Sequence, residues 1–134
     1  MISAELLRLL ISVRRLYLTD DRKKSVPSGS MCRQLKEYID LHFGEPITLQ
    51  SLADIFFVSP YYVAHEFKEE IGVAPIQYLI RRRMQEACRL LTDTDMTLRE
   101  ISAAIGYDNM THFSSLFKKN MHISPGQYRK NHIS

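Results

Sequence analysis

Beyond residue 30 the apolar positions recur at helical steps of three and four, and no segment alternates with the period of two that a half-buried strand requires. Leu35, Tyr38, Ile39 and His42-Phe43 mark a first helix, stopped by Gly44 and Pro46. Thr48 is placed to cap a second helix, with Leu49, Leu52, Ala53 and Phe56 turned inward. Ser59-Pro60 supplies a cap and then a proline at the first helical position, where its missing N–H costs nothing. The helix it opens should bury Val63, Phe67 and Ile71 and end at Gly72. Pro75 opens a long helix to about Thr92, apolar through Leu79, Ile80, Met84, Ala87, Cys88 and Leu91. Thr97-Leu98-Arg99-Glu100 reads as a capping box for a helix buried through Leu98, Ile101, Ala104 and Ile105, and Gly106 permits the sharp turn after it. Asn109 or Asp108 caps a helix burying Phe113, Leu116 and Phe117, and Ser124-Pro125 starts a last one carrying Tyr128. The expected fold is all-α.

This pattern occurs twice. Residues 47–78 return as 96–128 with one residue inserted, matching Thr48 to Thr97, Leu49 to Leu98, Phe67 to Phe117, Lys68 to Lys118, Pro75 to Pro125, Gln77 to Gln127 and Tyr78 to Tyr128. Each copy is a short helix, a tight turn and a second helix whose far face is polar or aromatic, which is the helix-turn-helix plan. The expected units are residues 48–72 and 97–121, joined by a linker helix over 75–92, all within a domain spanning 30–134. About eighteen helical residues at 1.5 Å each give a bridge of roughly 27 Å. That spacing would set the two second helices about 34 Å apart, one turn of B-DNA.

The first 29 residues differ in character. Ile2, Leu6, Leu9, Val13 and Leu16 form a heptad-like seam over residues 1–18, and the polar stretch 19–29 reads as a linker. The seam suits a helix packed on its own domain, a homodimer contact, or the final helix of a further domain. Glu5, Arg8, Arg14 and Arg15 interrupt it too often for a membrane span or export signal, so a cytoplasmic protein without membrane contact is expected.

The formal charge of +3 resides in those first residues, since from Ser30 onward twelve basic side chains meet twelve acidic ones. Distribution is more informative than the total. Arg81-Arg82-Arg83 lie together, and after Asp108 the chain carries Lys118, Lys119, Arg129 and Lys130 without an acid, a pattern suited to phosphate contact. Cys32 and Cys88 form no CxxC pair and have no histidine at ligand spacing, so neither a metal site nor a disulfide framework is expected.

The spaced set Leu52-Ala53, Ser59-Pro60-Tyr61-Tyr62-Val63, Phe67-Lys68, Gly72, Tyr78-Leu79, Arg83-Met84, Ala87, Leu90-Leu91, Ile101, Gly106-Tyr107, Phe113-Ser114, Phe117-Lys118-Lys119, Ser124-Pro125 and Tyr128-Arg129 resembles the C-terminal DNA-binding domain of AraC/XylS transcription regulators over Met31 to Lys130. The resemblance implies seven helices in two helix-turn-helix units and a double-stranded DNA operator as partner. It implies base-reading positions at Tyr61, Ala64 and His65 in the first unit and at Met110, Thr111, Ser114 and Ser115 in the second. Alanine offers no hydrogen bond, so Ala64 can meet only a thymine methyl. The small second set argues for modest discrimination by that unit. Thr48, Ser59 and Asn109 at helix starts, with Lys68, Arg83, Lys118 and Lys119, are the expected phosphate contacts, Arg83 having an internal bracing role as its alternative.

Three features depart from the family pattern. Phe57 stands in the turn where the second copy has Gly106, His122 stands where glycine is preferred, and the first recognition helix carries Glu66, Glu69 and Glu70, expected on its outer flank. A duplex DNA binder of this kind is expected to place a surface against RNA polymerase, as an activator more than as a repressor. The family further implies an N-terminal effector-binding domain, with residues 1–18 as its end and the chain as the C-terminal part of a longer regulator.

Two other classes compete. An enzyme would need a nucleophile elbow, a Gly-rich phosphate loop, an HExxH or a Ser, His and carboxylate set, and none is present; no catalytic residue and no cofactor is expected. A helical adaptor would use Tyr61, Tyr62 and Met110 as an exposed patch, and would lack the steep salt dependence of nucleic-acid binding.

Overall fold

The computed structural model describes residues 28–132, which form seven α-helices and no strand: α1 Ser28–His42, α2 Leu49–Phe56, α3 Pro60–Ile71, α4 Pro75–Asp93, α5 Leu98–Ala104, α6 Met110–Met121 and α7 Pro125–His132. The heptad seam expected over 1–18 and the greater part of the 19–29 stretch lie outside the described residues.

Two compact units divide the chain. The first comprises residues up to Tyr38 with Ile47–Gln77, and the second comprises Ile39–Pro46 with the residues from Tyr78 on. Both α1 and α4 therefore contribute to each unit.

In the first unit, Met31, Cys32 and Leu35 of α1, Leu52, Ala53, Ile55 and Phe56 of α2, and Val63 and Phe67 of α3 are buried. Leu49 and Ile71, expected inside, are only half-buried because each ends its helix, where the apolar stripe runs past the core. The second unit is built around Met84, Ala87, Leu90, Leu91, Ile101, Ile105, Tyr107, Phe113 and Phe117. Leu98 and Leu116 only lean against this core, and Ala104 at the end of α5 is exposed rather than buried.

Local capping fixes where these helices start. Thr48 accepts from Ser51 N at 3.0 Å while Ser51 Oγ accepts from Thr48 N at 2.9 Å, and Thr97 forms the same reciprocal pair with Glu100. Ser59 and Asn109 accept from the backbone N–H of Tyr62 and His112. The recognition helices are thus entered by the same device in both copies.

The exits match as well, although the residues do not. Phe57 and Gly106 both have positive φ, 56° and 99°, and donate to Asp54 O and Ala103 O. Gly72 and His122 both close their helices at positive φ, 98° and 71°, donating to Lys68 O and Lys118 O. At each joint one copy has glycine and the other a residue whose Cβ disfavours that conformation.

The second turn, longer by the inserted residue, is held by Ser102, whose buried hydroxyl donates to Tyr107 O at 2.7 Å. The first copy has Ala53 at this place and the shorter turn.

Candidate nucleic-acid interface

Burying Val63 and Phe67 turns the opposite side of α3 to solvent. Tyr61, Tyr62, His65 and Lys68 are exposed there, with Ala64 half-buried beside them. Tyr61 is 79% exposed, and its ring stacks on His65 at 6.1 Å between centroids. Nδ1 of His65 lies 3.3 Å from Oε2 of Glu66, which restrains the imidazole from the other side.

The acids of α3 do not share one flank. Glu66 and Glu70 lie towards α1, where their carboxylates, after burial itself, help push the Cys32 thiol up. Glu69 is exposed one turn beyond His65 and so shares the face of the expected readers. The outer-flank expectation does not hold for Glu69, because a step of four returns to the same side of the helix.

In the second unit, Phe113 and Phe117 orient α6 in the same way. Thr111, His112, Ser115, Lys118 and Lys119 are exposed, and Met110 and Ser114 are half-buried. Lys119 occupies the place that Glu69 holds in α3, and α6 carries no acid. Side-chain capping of the third amide leaves two earlier backbone N–H groups at the starts of α2 and α6, and only that of Tyr61 at α3 because Pro60 has none, without an intrahelical acceptor and open to an anion.

Arg83 is a correction. It is 7% exposed, donates through Nε to Phe43 O at 2.6 Å and through a terminal nitrogen to Glu45 O at 2.8 Å, and lies over the Tyr107 ring at 4.8 Å. It braces the chain after α1 and is withdrawn from the phosphate contacts. Arg82 packs over Phe43 at 4.4 Å with Asp40 nearby, leaving Arg81 as the exposed member of the triplet.

Arg129, which the charge pattern groups with the basic residues after Asp108, donates to Leu91 O at 2.9 Å and Thr94 O at 3.1 Å, satisfying carbonyls at the end of α4. Only its position one residue after the Tyr128 that packs on Phe117 signalled this inward role. Tyr78, at the place matching Tyr128, donates to Asp40 at 2.7 Å, and burial, this bond and the carboxylate charge raise its hydroxyl to about 12.

No helix among the described residues is long and apolar enough to cross a membrane. They also contain no group of three metal-ligating side chains.

Comparison with known proteins agrees with this geometry. A family described as a helix-turn-helix domain matches residues 52–131. Over 93 residues, 69% of this chain, the sequence is 42% identical to the uncharacterised HTH-type transcriptional regulator YdiP of Escherichia coli K12, covering 31% of that protein. It is 33% identical over 107 residues to the bifunctional transcriptional activator/DNA repair enzyme AdaA of Bacillus subtilis 168, covering 80% of this chain and 51% of AdaA. Among solved structures, the C-terminal domain of AraT, a response regulator from Geobacillus stearothermophilus, superposes with a TM-score of 0.76 at 38% identity, over 78% of this chain and 87% of that one. The DNA-binding domain of AdpA, solved with a target DNA, gives 0.71 at 25% identity, over 75% and 90%. The chain spans between 31% and 51% of the length of the first three curated relatives it matches.

Proposed function

The chain belongs to the AraC/XylS family of helix-turn-helix regulators, and from that membership we propose that it binds a double-stranded operator in a sequence-specific way and acts on transcription, as an activator more than as a repressor. The observation that carries this reading is the pair of matched helices, α3 and α6, each capped alike and each turning a polar or aromatic, solvent-exposed face away from two buried aromatic or aliphatic anchors.

Tyr61, Ala64 and His65 read base edges from α3, and Met110, Thr111, Ser114 and Ser115 read them from α6. Thr48, Ser59 and Asn109 offer helix-start amides to phosphates, with Lys68, Lys118 and Lys119 adding charge. A separate surface meets RNA polymerase, and residues 1–18 form a homodimer contact or the end of an effector domain in a longer cytoplasmic protein. No catalytic role is assigned. The enzymatic part of the name of AdaA belongs to that protein, of which this chain covers about half.

Fluorescence anisotropy with a duplex selected by the protein and with random duplex tests the assignment. His65→Ala and Thr111→Ala should narrow the gap between the two DNAs, whereas Lys118→Ala should weaken both alike. Affinity for every duplex that stays flat from 50 to 200 mM salt would favour the protein adaptor instead.

A further inference from the structure

We infer that the two recognition helices read DNA by different chemistries: α3 recognises its segment through the C5 methyl groups of thymine, while α6 supplies the charge that holds the backbone. This rests on the DNA-binding reading above and adds which base feature each helix senses.

Among the described residues, exposed apolar surface is concentrated along one stretch of chain. Among the described residues the exposed large hydrophobic side chains are Leu41, Phe57, Tyr61 and Tyr62, and three of these four belong to the turn before α3 or to its first turn. Phe57 is 57% exposed, Tyr61 79% and Tyr62 41%. Exposed aromatic surface gathered in and just before the first turn of a helix suits contact with an apolar group of a ligand. Ala64 continues the strip one turn on without a polar atom in its side chain.

Charge argues the same way. Helix α3 holds Lys68 against Glu66, Glu69 and Glu70, so its field opposes phosphates, and Glu69 lies on the reading face itself. Attachment through α3 therefore depends on apolar contact with bases, and the apolar group displayed in the major groove is the methyl of thymine. The restraint of His65 between Tyr61 and Glu66 keeps the tyrosine ring standing on that face.

Helix α6 inverts each of these features. Threonine and serine replace the aromatic residues, Lys119 stands in the place of Glu69, and Lys118 has no acidic neighbour on its helix. Short hydroxyls discriminate between bases only modestly, and lysines hold phosphates regardless of sequence.

The experiment uses the full chain and a duplex enriched from a random pool by the chain itself. Thymines are replaced one at a time by deoxyuridine, which deletes only the methyl, and binding is followed by anisotropy across a salt series. At thymines read by α3 the loss should be about fourfold per methyl, the equivalent of ~0.8 kcal/mol. Tyr61→Ala, at an exposed position, should abolish that preference and leave the salt slope in place. Lys118→Ala and Lys119→Ala should each reduce the slope by about 1 and keep the preference for thymine over uracil. Tight binding to a selected duplex that is indifferent to every deoxyuridine would overturn the inference and leave the DNA-binding reading standing. Failure to enrich any duplex would remove both.

Discussion

Phe57 and His122 hold left-handed backbone conformations at joints where the matching residue of the other copy is glycine. The left-handed region costs a residue with a Cβ about 1–2 kcal/mol. His122 is exposed, so His122→Gly should raise stability by about 1 kcal/mol and the melting temperature by roughly 4 °C, measured by thermal unfolding. The reverse change should be severe. At Gly106 an added Cβ would lie 2.8 Å from a terminal nitrogen of Arg83, so Gly106→Ala should displace the guanidinium from Phe43 O and Glu45 O besides straining the turn. A loss above about 2 kcal/mol in denaturant unfolding is the expected outcome. Both departures from glycine were legible in the sequence, because a conformational demand belongs to one residue. The inward role of Arg83 is one of two the sequence leaves open and that of Arg129 is not visible there, since their acceptors are backbone carbonyls some 38 to 40 residues away and any arginine in a basic run looks the same.

At the level of the element, the starts of the helices could be read because a cap involves four consecutive residues. Thr48, Ser59, Thr97 and Asn109 all cap, and Ser59→Ala or Thr97→Ala should each cost about 1 kcal/mol. Burial was read less well. Periodicity gives an angle around the helix axis, not the point along it where the core ends, so it puts Ile71, Leu98 and Leu116 deeper than they lie and does not point to the buried Ile55, Leu90 and Ser102. Tyr78 on α4 gives a test in pH. Its hydroxyl is raised from 10.0 to about 12 by burial and by donation to Asp40 on α1. The folded state thus favours the protonated phenol. Its contribution is complete below pH 10 and disappears as pH rises through about 12. The stability difference between the protein and Tyr78→Phe should shrink over that window when both are titrated by denaturant unfolding, and a difference that is constant with pH would contradict the assignment.

For the molecule as a whole, the internal repeat announced two units, and the structure gives each its own buried core. With Arg83 and Arg129 turned inward, the exposed cations on the two recognition helices are Lys68, Lys118 and Lys119. At about 0.9 counterions per neutralised phosphate, these predict a salt slope near −3 for duplex binding, well short of the −10 of a highly basic binder. A plot of log affinity against log salt concentration checks it. The reciprocal placement of glycines has a bearing on redesign. Each half has glycine at the joint where the other has a side chain, so a double variant, Phe57→Gly with His122→Gly, would have four relaxed joints in place of two. Such a chassis would have stability in reserve, and its groove-facing side chains could be reprogrammed towards new operators with less risk of unfolding.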